Sequence, residues 1–338
     1  MSEKTFIPWC DSTLNPWWGC DKVSPGCKYC YITTTPVFRF KGMKHGDPRV
    51  KSKGFLEEAL ALNRKPWICD VCGDAWAEDS FFCGCQPPGS RNKHRRRIFL
   101  LSLGDVWDEK VPIEWLAETL HTIWECDQCI WYLCSKRWAQ WRDRLTQIIP
   151  TPDWEFNDWL GKWIHGYPPP NVLGLCSVED QQRADERIPQ FLKVPLACRG
   201  LSLEPLLGPV DLRCVAAASV SGGKFGVDYL SPNHQHVDWL IIGGESGGEA
   251  RPCDVGWIRS LKEQGVAAGV ATFVKQLGAM PVTDESTPDG WPVGTELTWY
   301  PCANGGAGQT VVNLKDKKGG DPAEWPQDLN VRQWPEGF

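Results

Sequence analysis

Val172-Leu-Gly-Leu-Cys-Ser-Val-Glu-Asp180 runs from an apolar stretch into Ser, Glu and Asp, and a polar segment with helical patterning follows at Gln181–Leu192. A short apolar run bounded in this way reads as a strand buried on both faces, followed by a crossover helix. The unit recurs along the chain. Strands are expected at Thr5–Trp9, Ile98–Ser102, Ile130–Ser135, Val172–Ser177, Cys198–Ser202, Trp239–Gly243 and Ala271–Val274. Helical patterns lie between them at Ile113–Cys126, Ala139–Ile149, Gln181–Leu192 and Val255–Ala268. Such alternation implies an α/β fold with a parallel sheet and right-handed crossovers, and this number of units suits a partial (β/α) barrel.

The strand ends are polar: Ser102-Leu-Gly-Asp105, Ser135-Lys136-Arg137, Ser177-Val-Glu179, Ser202-Leu-Glu204, Gly243-Gly244-Glu245-Ser246 and Lys275-Gln276. In a parallel barrel these ends converge on one face, where a ligand sits. Helix capping accounts for some of them, since Ser and Asp before a helix are commonly caps. Residues 67–97 interrupt the pattern as an inserted Cys-rich module, and 215–236 reads as a Gly/Ser-rich loop. The barrel is therefore expected from 1–66 and 98–278, with an irregular extension over 279–338 packed on it.

The chain of 338 residues has 16 Cys, 20 Trp and a net charge of −6. It shows no run of about 18 apolar residues and no basic-then-apolar N-terminal segment, so neither a membrane span nor a secretory signal is expected. A cytoplasmic protein follows, and in a reducing compartment its cysteines read as metal ligands or buried small groups. The tryptophans are expected mainly in the core.

Two cysteine groups stand out. Gly19-Cys20-Asp-Lys-Val-Ser-Pro-Gly-Cys27-Lys-Tyr29-Cys30-Tyr31 places three thiols around a Pro-Gly turn. Three ligands suit a four-iron cluster with one open iron, and a zinc ion closed by a fourth ligand such as Cys10 is the competing reading. Cys69-Asp-Val-Cys72 with Cys83-Gly-Cys85 has the spacing of a structural zinc knuckle, with a second iron–sulfur cluster as the alternative. The run Arg91-Asn-Lys93-His94-Arg95-Arg96-Arg97 follows it and reads as a phosphate-binding patch for nucleic acid, the alternative being a solvated charge run.

Asn15-Pro16-Trp17-Trp18-Gly19-Cys20 through Cys30-Tyr31 resembles the signature of a phage-associated branch of the radical S-adenosylmethionine (SAM) superfamily. The resemblance runs on through Leu103–Asp108, Ser135–Arg137, Ser177–Asp180, Leu203–Gly208, Gly243–Gly247, Ala250–Pro252, Phe273–Gln276 and Lys317–Pro326. It departs from the wider superfamily in one respect: the cysteines are separated by six and then two residues, where three and two are usual.

The resemblance implies a partial barrel of the radical SAM type, with a [4Fe-4S] cluster on Cys20, Cys27 and Cys30 and SAM across the strand ends. It implies that SAM is cleaved to a 5′-deoxyadenosyl radical, with an external electron donor to the cluster. By position, Tyr29, Asp105, Lys136, Arg137, Ser177, Glu179, Ser202, Glu204, Gly243, Gly244 and Glu245 are expected around SAM and substrate. Lys275, Gln276, Arg95, Arg96 and Arg97 are expected toward the substrate. Relatives in phage thymine hypermodification imply an isomerase of a glycinyl-thymidine type acting on modified DNA in the host cytoplasm. A radical enzyme acting on a peptide or small metabolite, and a non-enzymatic zinc module that binds nucleic acid, are the other readings.

Overall fold

The computed structural model describes residues 5–77, 85, 93–148, 150–218, 224–284, 290–300 and 308–338. Seven strands form one parallel sheet in chain order: β1 (Ser12–Leu14), β2 (Arg97–Leu100), β3 (Ile130–Ser135), β4 (Val172–Ser177), β5 (Cys198–Leu203), β6 (Trp239–Gly243) and β7 (Ala271–Gln276). The sheet is curled into a half-barrel. The expected α/β architecture is present at this level.

Among the described residues, seven α-helices accompany the sheet: α1 (Pro36–Lys41), α2 (Phe55–Asn63), α3 (Ile113–Glu125), α4 (Trp141–Thr146), α5 (Trp154–Ile164), α6 (Gln181–Phe191) and α7 (Val255–Ala268). The crossovers β2–α3–β3, β4–α6–β5 and β6–α7–β7 each use one helix, whereas α4 and α5 both lie between β3 and β4. Asp153, Asp180 and Asp254 cap α5, α6 and α7 by accepting backbone N–H groups of the first turn. Asp180 at the end of the opening stretch is therefore a cap, as some strand-end residues were expected to be.

Strand alternation divides the apolar residues into two sets. Trp131, Leu133, Val172, Leu201, Leu240 and Val274 belong to the core under the helices. Trp9, Phe99, Tyr132, Leu173, Leu175, Ile241 and Phe273 form a second cluster on the inner face. This cluster fills the end of the half-barrel from which the strands start, leaving their C-terminal ends for polar groups. On the other face, Gly174 permits close packing under the helices, because a Cβ would meet Leu196 at 2.4 Å and Trp138 at 3.0 Å.

Several expected boundaries move. Thr5–Trp9 is not a strand: Trp9 plugs the inner cluster, and pairing with β2 begins at Ser12. Ala139–Ile149 splits into a short 3-10 turn at Trp138–Gln140 and α4, with Ile149 outside the described residues. The 215–236 segment contains an antiparallel hairpin, Val215–Ala218 with Lys224–Val227.

The extension is more regular than expected. Pro281–Thr283, Gln309–Asn313 and Glu296–Tyr300 join Cys253–Asp254 in a four-stranded sheet. The last residues then run along the open edge of β7. There the Val274 amide donates to the Val331 carbonyl at 2.9 Å, and Gln333 to Thr272 at 2.9 Å.

Within 67–97, Ala75–Trp76, Trp67–Cys69 and Lys93–Arg95 form a separate three-stranded antiparallel sheet. No helix among the described residues is long and apolar enough to cross a membrane.

Candidate functional site

The loop after β1 carries Cys20, Cys27 and Cys30 onto the C-terminal rim of the sheet. Asn15 starts this placement by receiving the Leu103 amide at 2.8 Å and donating to the Ser102 hydroxyl at 3.1 Å. The Gly19 amide donates to the Leu103 carbonyl at 3.1 Å, from a φ of 114° that favours glycine. Further along, Tyr31 hydrogen-bonds the Ser102 carbonyl through its hydroxyl.

Other strand ends grip the loop from the far side. The Glu179 carboxylate, in a side chain with no solvent exposure, accepts the Gly26 amide at 3.3 Å and pairs with Arg187 at 2.8 Å. Burial opposes its ionisation, but Lys136, Arg187 and Ser24 outweigh that and hold the carboxyl below its usual range. Arg251 donates to the Pro25 carbonyl at 2.9 Å and forks onto both oxygens of Glu245 at 2.8 and 2.6 Å. Its guanidinium stands 5.4 Å from the Tyr29 ring centre, and Lys28 lies 4.8 Å from the same centre.

Asp105 is saturated: it accepts from the Ser135 hydroxyl at 2.6 Å, the Lys136 amide at 3.1 Å and the Trp107 amide at 3.1 Å. Arg137 pairs with it at 3.2 Å and also reaches the Cys20 sulfur at 3.7 Å. Burial, then the Asp105 charge, push the Cys20 thiol up to about 12, and burial followed by the neighbouring Cys27 raises Cys30. Lys136 faces Glu179, Cys27 and Cys134, and these outweigh the cost of its burial to raise its pKa.

On the inner face, the Cys134 sulfur lies 3.5 Å from the Ser177 hydroxyl and also bonds Ser202. Lys275 donates to both Glu204 oxygens at 2.6 and 2.7 Å, and Gln276 to one of them at 2.9 Å. Gly243 and Gly244 serve close packing of β6 on β7, since a Cβ on Gly244 would lie 2.3 Å from the Leu277 carbonyl oxygen.

The arrangement thus brings Cys20, Cys27, Cys30, Tyr29, Asp105, Lys136, Arg137, Ser177, Glu179, Ser202, Glu204, Gly243, Gly244, Glu245, Lys275 and Gln276 to one rim. Three of these also have partners within the protein: Asp105 orients Arg137 and Lys136, Glu179 holds the cysteine loop, and Glu245 holds Arg251. Cys134, Arg187 and Arg251 were missed. Alternation along β3 would have found Cys134, which shares a face with Ile130 and Tyr132; Arg251 lies in the Ala250–Pro252 stretch of the resemblance, which gives it no role, and nothing local marks Arg187.

The basic run sits at the opposite end of the sheet, where β2 begins. Arg96 is buried and donates to Ser12 at 3.1 Å and to the Lys65 carbonyl at 3.3 Å. Arg95 donates to the Gln128 and Asp127 carbonyls, and Arg97 lies 4.7 Å from the Trp334 ring centre. All three are engaged inside the protein and far in topology from the rim. Arg91 lies outside the described residues.

Cys69, Cys72 and Cys85 gather their sulfurs within 4.8 Å of one another and could hold a metal ion. Cys83 lies outside the described residues. Cys20, Cys27 and Cys30 form no such group among the described residues.

Fold and rim define an α/β half-barrel protein whose open face is edged by three thiols, by Lys136, and by the ion pairs Asp105–Arg137, Glu179–Arg187, Glu204–Lys275 and Glu245–Arg251. Residues 4–321 match the family model described as Protein of unknown function (DUF5131), and the chain belongs to that family. No curated protein and no solved structure matches it.

Proposed function

We propose that this protein is a radical SAM enzyme whose [4Fe-4S] cluster would be held by Cys20, Cys27 and Cys30. One observation supports the reading: three thiols of a single loop lie on the C-terminal rim of a curled parallel sheet, where Arg137 reaches Cys20 and Glu179 holds Gly26. When bound, a cluster with an open iron supplies one electron to SAM and so a carbon radical able to abstract hydrogen from an unreactive C–H bond.

The chain's own residues bind and orient. Arg137 is committed to Asp105 and Cys20, which leaves Lys136 as the rim cation for the SAM carboxylate. The Glu204–Lys275 pair offers opposite charges to a substrate that carries an amino acid group, and Gln276 fixes the carboxylate. The filled inner cluster closes the far end of the barrel against water. The substrate favoured is an amino-acid-substituted thymine in DNA, rearranged by an isomerase reaction. Cys69, Cys72 and Cys85 would hold a structural zinc, Cys83 being the fourth ligand by sequence spacing.

Anaerobic purification with iron, sulfide and zinc counted per chain tests this. About four irons with a brown chromophore, lost in Cys27→Ala, is the expected result. Zinc alone after attempted iron–sulfur reconstitution would overturn it.

A further inference from the structure

The segment Cys20–Lys53 carries eight Lys and Arg against two Asp, a net of +6 in a chain whose net charge is −6. Both acids are spent within the fold. Asp21 pairs with Arg49 at 3.0 Å and with Lys110 at 2.9 Å, and Asp47 receives the Lys44 amide at 2.6 Å. Arg49 is buried and also pairs with Asp108. Lys22, Lys28, Arg39, Lys41, Lys44, Lys51 and Lys53 are exposed.

Their employment differs. Lys51 pairs with Glu118, and Lys41 lies over the Trp18 ring at 4.4 Å. Arg39, Lys44 and Lys53 have no carboxylate partner among the described residues. Between Arg39 and Lys41, Phe40 is 91% exposed on α1. An aromatic ring held in water between two cations is the combination that binds a strand by stacking a base and neutralising its phosphates.

This segment belongs to the rim. The Gly46 amide donates to the Cys20 carbonyl at 3.2 Å, and a His45 ring nitrogen lies 3.2 Å from the same oxygen. Gly42 ends α1 with a φ of 64°, so the chain folds back and the Met43 amide bonds the Phe38 carbonyl at 2.9 Å. α1 is thereby tied to the loop that bears the three thiols.

We propose that Lys22, Arg39, Phe40, Lys44 and Lys53 form the face that takes single-stranded nucleic acid, with phosphates on the cations and an unpaired base stacked on Phe40. The strand then runs beside the Cys20–Cys30 loop. The proposal deepens the reading of the rim as a reaction site and rests on it only for the strand's destination. It replaces the Arg91–Arg97 run as the contact surface, because Arg95, Arg96 and Arg97 are engaged at the other end of the sheet. An acidic peptide would satisfy the cations but leave Phe40 without a base to stack.

The test is fluorescence anisotropy with a labelled single-stranded oligodeoxynucleotide at several salt concentrations, using the full chain without added cluster or SAM. Changing Arg39, Lys44 and Lys53 together to Glu should weaken binding more than 10-fold. It should also reduce the salt slope by about 2, at about 0.7 per lost phosphate contact. Phe40→Ala should weaken binding about 10-fold with the slope retained. Lys162, Lys193 and Arg213 changed to Glu control for net charge, and equal melting temperatures control for folding.

Equal binding by the two triple variants overturns the proposal. Displacement by polyglutamate as effective as by unlabelled oligonucleotide overturns it in favour of an acidic protein partner. Duplex binding as tight as single-strand binding, with Phe40→Ala without effect, overturns the stacking assignment. Because the assay needs no iron, a colourless zinc-only protein would sink the radical reading and leave this result to stand or fall separately.

Discussion

Arg137 places its guanidinium 3.2 Å from the Asp105 carboxylate, with both side chains almost withdrawn from water. Asp105 also receives one hydroxyl and two backbone amides. Removing the carboxylate therefore leaves a buried cation and three donors without their acceptor. Asp105→Ala should destabilise the cofactor-free protein by about 3–5 kcal/mol, the usual cost of breaking one side of a buried pair. The denaturant midpoint measures it, and a loss below about 1 kcal/mol would show that the pair is effectively solvated.

The module at 67–97 makes a separate prediction. Cys69 is buried, whereas Cys72 and Cys85 are exposed, and the three sulfurs are close enough for one ion. Cys69→Ser should abolish bound zinc, measured by elemental analysis, and leave iron per chain unchanged. Loss of iron together with zinc would mean that the two cysteine groups are not independent sites.

His94 joins this module to the barrel, since its two ring nitrogens lie 2.6 Å from Asp70 and 3.1 Å from Asp11. Asp11 also accepts the Arg97 amide at 2.7 Å. Burial opposes ionisation of Asp11, but His94 and the Arg97 amide outweigh it and hold its pKa below the usual value. A group whose folded pKa is depressed stabilises the fold above its unfolded pKa, about 3.9 for Asp. That contribution is lost as pH falls through the lower folded value. Asp11→Asn should therefore lower the denaturant midpoint at pH 6, and the gap from wild type should close below about pH 4. A gap independent of pH would assign the loss to packing.

What could be read from the sequence was the set of long apolar strands and the polar residues ending them. β3, β4, β5 and β6 begin where their apolar runs begin, because a strand buried on both faces must be apolar throughout. β1 was misplaced because Ile7 and Trp9 look like strand residues although they pack without pairing: burial and ladder formation are separate demands. α5 was missed although Asp153 and the Trp-Glu-Phe start supply a capped first turn. The roles of Asp105, Glu179 and Glu245 were hidden because Arg137, Arg187 and Arg251 complete them only after folding. A charged residue at a strand end looks the same in sequence whether it meets a ligand or a neighbouring arginine.

Glu204 and Lys275 supply the prediction closest to the reaction. Both side chains retain partial access to solvent, 17% and 19%, so the pair can exchange partners with a charged substrate. Their hydrogen bonds run to one another and to Gln276. Lys275→Met keeps the length of the side chain and removes its charge. Iron per chain and the visible spectrum should be retained, while product formation on the substrate falls by 100-fold or more, the order expected when a charged, oriented contact to a reacting group is lost. Slow, unproductive cleavage of SAM should persist, measured as 5′-deoxyadenosine released without product. If that cleavage stops along with product formation, Lys275 belongs to the SAM site; if product formation is unchanged, the pair is a structural strut between β5 and β7.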